Sequence, residues 1–130
     1  MNSYWNLLVV SSRLENKRAM LNILSDHPVN VFTAASIEQA EEVLSRHRVR
    51  LIFSEETVSD GTYQDLLSLV PDPSQVVVLL STGEWAECLA AMKLGVREII
   101  RFPLQPTDVE LALIHAARDQ ASETEHLFAA

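Results

Sequence analysis

Residues 5–15 read WNLLVVSSRLE. A short, nearly continuous apolar run ends in two serines, and a segment with helical spacing follows at once. Runs of this length with no polar alternation are what a strand buried on both faces requires. Leu14, Ala19, Leu21 and Leu24 supply an apolar stripe on the segment that follows, and Ser12 with Glu15 has the S-x-x-E spacing of a capping box, so a helix is expected to begin near Arg13.

The same alternation continues along the chain. Further apolar runs are Val29 to Thr33, Leu51 to Phe53, Gln75 to Leu80 and Glu98 to Phe102, so five strands are expected. Ser36 with Gln39 repeats the capping device before Ile37, Ala40, Val43 and Leu44, and Thr107 with Glu110 repeats it before Val109, Ala112, Leu113 and Ala116. Asp60-Gly61 reads as a turn, Gly95 as a helix-ending residue, and Pro71 and Pro73 bound the entry to the fourth strand. Strand then helix, five times over, implies a three-layer α/β sandwich with right-handed crossovers. Ligand-binding residues of such sheets gather at the carboxyl ends of the strands.

Composition limits the function classes. The chain has 130 residues, 48% of them hydrophobic, which suits one domain. That domain is expected over residues 1–121, with 122–130 as a tail or an extension of the last helix. The formal net charge of −8, with no basic cluster set against it, leaves counterion release little to act on, and nucleic-acid binding is not expected. No apolar run approaches the roughly 20 residues of a membrane span. A basic, apolar secretory leader is absent from the first residues and there is one cysteine, so a cytoplasmic setting is expected. Cys88 is read as a buried structural thiol, and His27, His47, His115 and His126 follow no metal-ligand spacing.

At the strand ends stand Ser11-Ser12, Ser54-Glu55-Glu56, Ser81-Thr82 and Arg101-Phe102-Pro103. In order and spacing, from Trp5 to about Ala121, the chain resembles the receiver domains of response regulators. That resemblance implies a flavodoxin-like sheet in strand order 2-1-3-4-5 and a role in two-component signalling. Receivers end their first strand in an acidic pair that holds Mg²⁺, their third in a phosphate-accepting aspartate, their fourth in Ser or Thr, and their fifth in Lys-Pro. Here the acidic pair is replaced by Ser11 and Ser12, and the acceptor by Glu55, counted back from Asp60-Gly61. Ser81 takes the hydroxyl position, with Thr82 as the rival register, and Phe102 takes the lysine position before Pro103. The Phe102-Pro103 bond corresponds to one that is often cis in the family.

Each replacement has a physical consequence. Two hydroxyls cannot give Mg²⁺ the hard anionic oxygens it needs, and Phe cannot donate a charge-assisted hydrogen bond. Arg101, one residue off in a strand, points to the opposite face. Glu55 would place a permanent negative charge near where a phosphoryl group sits. Read without the family, Glu55 and Glu56 are as well explained as solvated loop residues, Ser12 as a helix cap, and Ser81, spaced from Glu84, as another.

The expectation is therefore a degenerate receiver, without catalysis and without a cofactor or metal, that acts through a protein partner: a kinase, an output domain or an effector. Leu111 and Ile114 lie off the core-facing stripe of the last helix, beside His115, so a homodimer through the face of the fourth helix, fifth strand and fifth helix is one possible use. Two alternatives stand beside this. One is phosphate acceptance through Glu55 or a serine, or weak Mg²⁺ binding through Glu55 and Glu56. The other is a flavodoxin-like carrier, against which Ser11-Ser12-Arg13 lacks the glycines of a phosphate-cradling loop.

Overall fold

The computed structural model describes residues 4–81 and 83–129, with side chains as far as Asp119. Thr82, the rival switch position, and the side chains of Leu127 and Phe128 lie outside the described residues. The main sheet is built from β1 (Trp5–Val10), β2 (Val29–Ala34), β3 (Val49–Glu55), β6 (Gln75–Leu80) and β7 (Glu98–Arg101). Their order is β2-β1-β3-β6-β7 and every pairing is parallel. Counted within this sheet, it is the expected 2-1-3-4-5 order.

Alternation along each strand sorts side chains into two cores. Leu8, Val10, Ile52, Val78 and Leu80 point to one face, which α2 (Ile37–Arg46), α3 (Tyr63–Leu67) and α4 (Trp85–Lys93) cover with Ala40, Leu66 and Ala91. Leu7, Val9, Leu51, Phe53, Val77 and Leu79 point to the other, covered by α1 (Leu14–Leu24) and α5 (Pro106–Ala129) with Met20, Leu24, Val109, Ala112 and Leu113. No helix among the described residues is long and apolar enough to cross a membrane. Cys88 is half-buried against the α2–α3–α4 core.

Several local expectations are corrected. The segment after β3 folds as a two-residue-per-strand antiparallel hairpin, β4 (Thr57–Val58) and β5 (Gly61–Thr62), turning at Ser59-Asp60. A five-residue α3 follows, and Thr62 and Asp65 cap it reciprocally. Ser12 caps nothing: Arg13 occupies the cap position of α1 without a side-chain bond, and Leu14 and Ala19 face solvent while Met20 is buried. Pro106 opens α5, because a fixed φ and a missing N–H suit a first helical position, and this moves Thr107 inside the first turn. Likewise, α4 is led by Glu84, not Ser81. At Ser36 the cap forms as expected, the hydroxyl accepting from the Gln39 amide. Gly95 takes φ 101° where α4 ends, a conformation that strains any side chain.

A longer-range clamp also holds α2. The Asp60 carboxylate, at the hairpin tip, accepts from the amides of Ile37 at 2.7 Å and Glu38 at 3.1 Å. These two bonds hold its carboxyl below the usual carboxylate range. A depressed folded pKa contributes stability above the unfolded value and loses it as pH falls through the folded one. Asp60→Asn is therefore expected to be less stable than the parent in neutral denaturant titrations, with the gap narrowing as the Asp60 range is titrated. An equal gap at neutral and acid pH would contradict the clamp.

Candidate functional site

Parallel strands bring the ends of β1, β3, β6 and β7 to one rim. Among the described residues the buried polar side chains are Ser11, Ser54 and Glu55, and all three are there. Glu55 is the last residue of β3 and is 5% exposed. It is a pocket residue, so the solvated-loop alternative does not hold for it. The Ser11 hydroxyl donates to Glu55 Oε2 at 3.1 Å, and the Arg13 carbonyl lies at the same distance from that hydroxyl. A single hydroxyl hydrogen thus faces two acceptors. Glu55 Oε1 is buried with no hydrogen-bond partner among the described residues. The Ser54 hydroxyl, beneath it, donates to the Glu55 carbonyl at 2.9 Å.

A cleft of about 640 Å³ opens above this carboxylate. Of the residues singled out from sequence, Glu55, Ser81, Phe102 and Pro103 line it, and the Phe102-Pro103 bond is cis. Ser11 sits outside the lining and is hydrogen-bonded to Glu55, while Ser12 is exposed, also outside the lining. Arg13, Glu15 and Asn16 from the start of α1, Glu56 and Thr57 after β3, and Leu79 complete the walls. Glu56 stood among the strand-end residues named from sequence; the others were not foreseen. Their signal was positional, since in this architecture any residue just beyond a strand end or in a first helical turn faces the rim.

The donor set decides what the cleft can hold. Mg²⁺ needs several hard oxygens in a near-octahedral shell, and here Ser11 and Ser12 stand where the expected acidic pair would be. Among the described residues no group of three or more His, Cys, Asp and Glu could hold a metal ion. The residues present do not fit the magnesium-dependent chemistry that the resemblance implies. Phe102, half-buried against the α1–α5 core, offers an aromatic wall without a charge.

The other singled-out residues lie on a different face. Leu111 and Ile114 are 45% and 46% exposed. His115 Nδ1 meets Glu98 Oε1 at 2.8 Å, and Asp119 receives Gln75 at 3.1 Å and Arg97 at 3.0 Å, which together tie α5 to the sheet edge. Those bonds, from Gln75 first and then Arg97, lower the Asp119 carboxyl below its ordinary range.

Opposite the cleft, Arg46, His47, Arg48 and Arg50 gather where α2 ends and β3 begins. The net charge concealed this basic cluster. Glu42 pairs Arg46 at 3.0 Å, His47 stacks on Phe32, and Arg50 lies over the Trp5 ring.

No protein-family model matches the sequence, and no curated protein matches it. Solved structures do. The signal receiver domain of a Vibrio parahaemolyticus protein superposes with a TM-score of 0.83 at 15% identity, over 93% of this chain and 96% of that one. This is the receiver fold. A CheY-like response regulator receiver domain protein from Methanospirillum hungatei gives 0.81 at 17% identity, covering 93% and 99%. A Burkholderia pseudomallei response regulator with a phosphorylated aspartic acid, a calcium ion and citrate gives 0.73 at 20% identity, covering 92% and 72%.

Removing the Ser11 hydroxyl would leave both Glu55 oxygens without a donor among the described residues. Ser11→Ala is expected to cost about 1–3 kcal/mol in equilibrium unfolding, and Ser12→Ala to stay within about 0.5 kcal/mol. Equal effects at the two serines would contradict the geometry.

Proposed function

We propose that the chain is a receiver-type signalling module of the two-component kind that works by protein–protein contact and does not accept a phosphoryl group. The observation that carries this reading is the rim itself. Two serines and a phenylalanine stand where the chemistry of a phosphate switch calls for carboxylates and a cation, and the one buried carboxylate among the described residues is tied to Ser11. A hydroxyl-bound glutamate beside an uncharged aromatic neither collects Mg²⁺ nor neutralises an incoming phosphoryl group.

The contact surface is the edge formed by α4, β7 and α5. Glu87 and Ala90 turn toward α3, and Cys88 and Ala91 toward the sheet. At 100° per residue this leaves Trp85, Leu89 and Met92 on the side of α4 toward β7. They are 76%, 40% and 49% exposed. Leu111 of α5 shares a groove with Ile99 and Arg101 of β7, next to His115. Exposed apolar side chains on neighbouring elements, with Glu98, Arg101 and Asp108 beside them, support an interaction site here. The rim carries both signs of charge, which a two-fold pairing of identical faces can satisfy. A second copy, an output domain or an effector would bury the same residues.

Sedimentation velocity tests the reading. The parent is expected to self-associate, Trp85→Ser with Leu111→Asp to sediment as a folded monomer, and Mg²⁺ with acetyl phosphate to change neither. Self-association that appears only with the phosphodonor would overturn it.

A further inference from the structure

The cleft has a chemical character that the contact reading leaves unused. Its described lining sets three carboxylates, Glu15, Glu55 and Glu56, against one guanidinium, the exposed Arg13. Acidic residues also fill the first turns of the helices that start at this rim, as Glu38, Asp65, Glu87 and Asp108 show. Within the described lining, acidic side chains outnumber basic ones three to one, which disfavours an anion.

A second observation is independent of that acidity. Glu55 is 5% exposed, lines the cleft, and has one buried oxygen, Oε1, without a hydrogen-bond donor among the described residues. A buried carboxylate oxygen left this way is costly, and a donor that reached it would be rewarded with a charge-assisted bond. The rest of the wall narrows the class of donor. Phe102, Pro103 and Leu79 make one side apolar, which suits a ligand with a hydrocarbon stem and offers a ring face to a cation. A bare divalent ion would gain nothing from that wall and would lack ligands, since no metal-holding cluster exists among the described residues.

We propose that this cleft binds an organic cation, an alkylammonium or guanidinium head on an apolar stem, with the head at Glu55 and Glu56 and the stem against Phe102 and Pro103. The same chemistry is presented by a free aliphatic amine and by a lysine or arginine side chain of a protein. The proposal goes beyond the α4–β7–α5 reading and does not depend on it.

Backbone NMR with n-butylammonium chloride, against sodium chloride at equal ionic strength, is the test. Saturable shifts are expected at the amides of Glu55, Ser81 and Phe102 with the amine and not with sodium. Glu55→Gln, which keeps the shape and the Ser11 contact, should weaken binding about tenfold or more through loss of the charged acceptor. Arg13→Gln should tighten it by removing a like charge, a gain that damage to the fold would not produce. N-acetyl-lysine N-methylamide binding more tightly than butylammonium would point to a protein side chain as the source, and weaker binding to a free amine. Absent saturation, or equal affinity in the parent and a folded Glu55→Gln, would overturn the proposal. Neither result changes what acetyl phosphate does to sedimentation, so the two readings fail separately.

Discussion

A parallel sheet with both faces buried has to send every strand out at one end and bring every helix back from it. That constraint organises this molecule. The backbone polar groups of β1, β3 and β6 are satisfied inside the ladder, and Leu8, Ile52 and Val78 on one face and Leu7, Phe53 and Val77 on the other are closed off by helices. Irregular backbone is left to the two rims, where chemistry or recognition can be placed without disturbing either core. The buried polar side chains described here, Ser11, Ser54 and Glu55, all fall at the strand-carboxyl rim.

The same constraint gives the molecule its electrical polarity. All helices begin at that rim, and the residues that suit a helix start are acidic: Glu15, Glu38, Asp65, Glu87 and Asp108. Arg46 and Lys93 sit in last turns at the other rim, beside Arg48 and Arg50. A net charge of −8 therefore describes neither rim. The described lining of the cleft sets three carboxylates, Glu55 among them, against one guanidinium.

The strands were legible because fully buried parallel strands leave unbroken runs such as Leu7 to Val10 and Val76 to Leu80, and the helices α2 and α5 because Ile37, Ala40, Val109 and Ala112 recur at helical spacing. Less was legible where local spacing competed with distant contacts. Serine at position 12 has the right neighbour for a cap, but the serine before it is drawn inward by a glutamate 44 residues away. Asp60 reads as a turn residue and is one, yet its carboxylate also grips the start of α2, which no local pattern announces. Strands of two residues, β4 and β5, carry no periodicity to find. At the site, Glu55, Ser81, Phe102 and Pro103 were placed by register with receiver domains, whereas Arg13, Asn16 and Thr57 needed the folded rim.

The proposal that this receiver fold carries a rim unresponsive to phosphate meets its sharpest test when Mg²⁺ with beryllofluoride, a phosphoryl mimic, is titrated into the isotope-labelled chain and the amides of Ser12, Glu55, Ser81 and Phe102 are followed. No saturable shift is the result predicted. Saturable shifts that spread from Glu55 into β7 would contradict the account and return the domain to the phosphate-switched receivers.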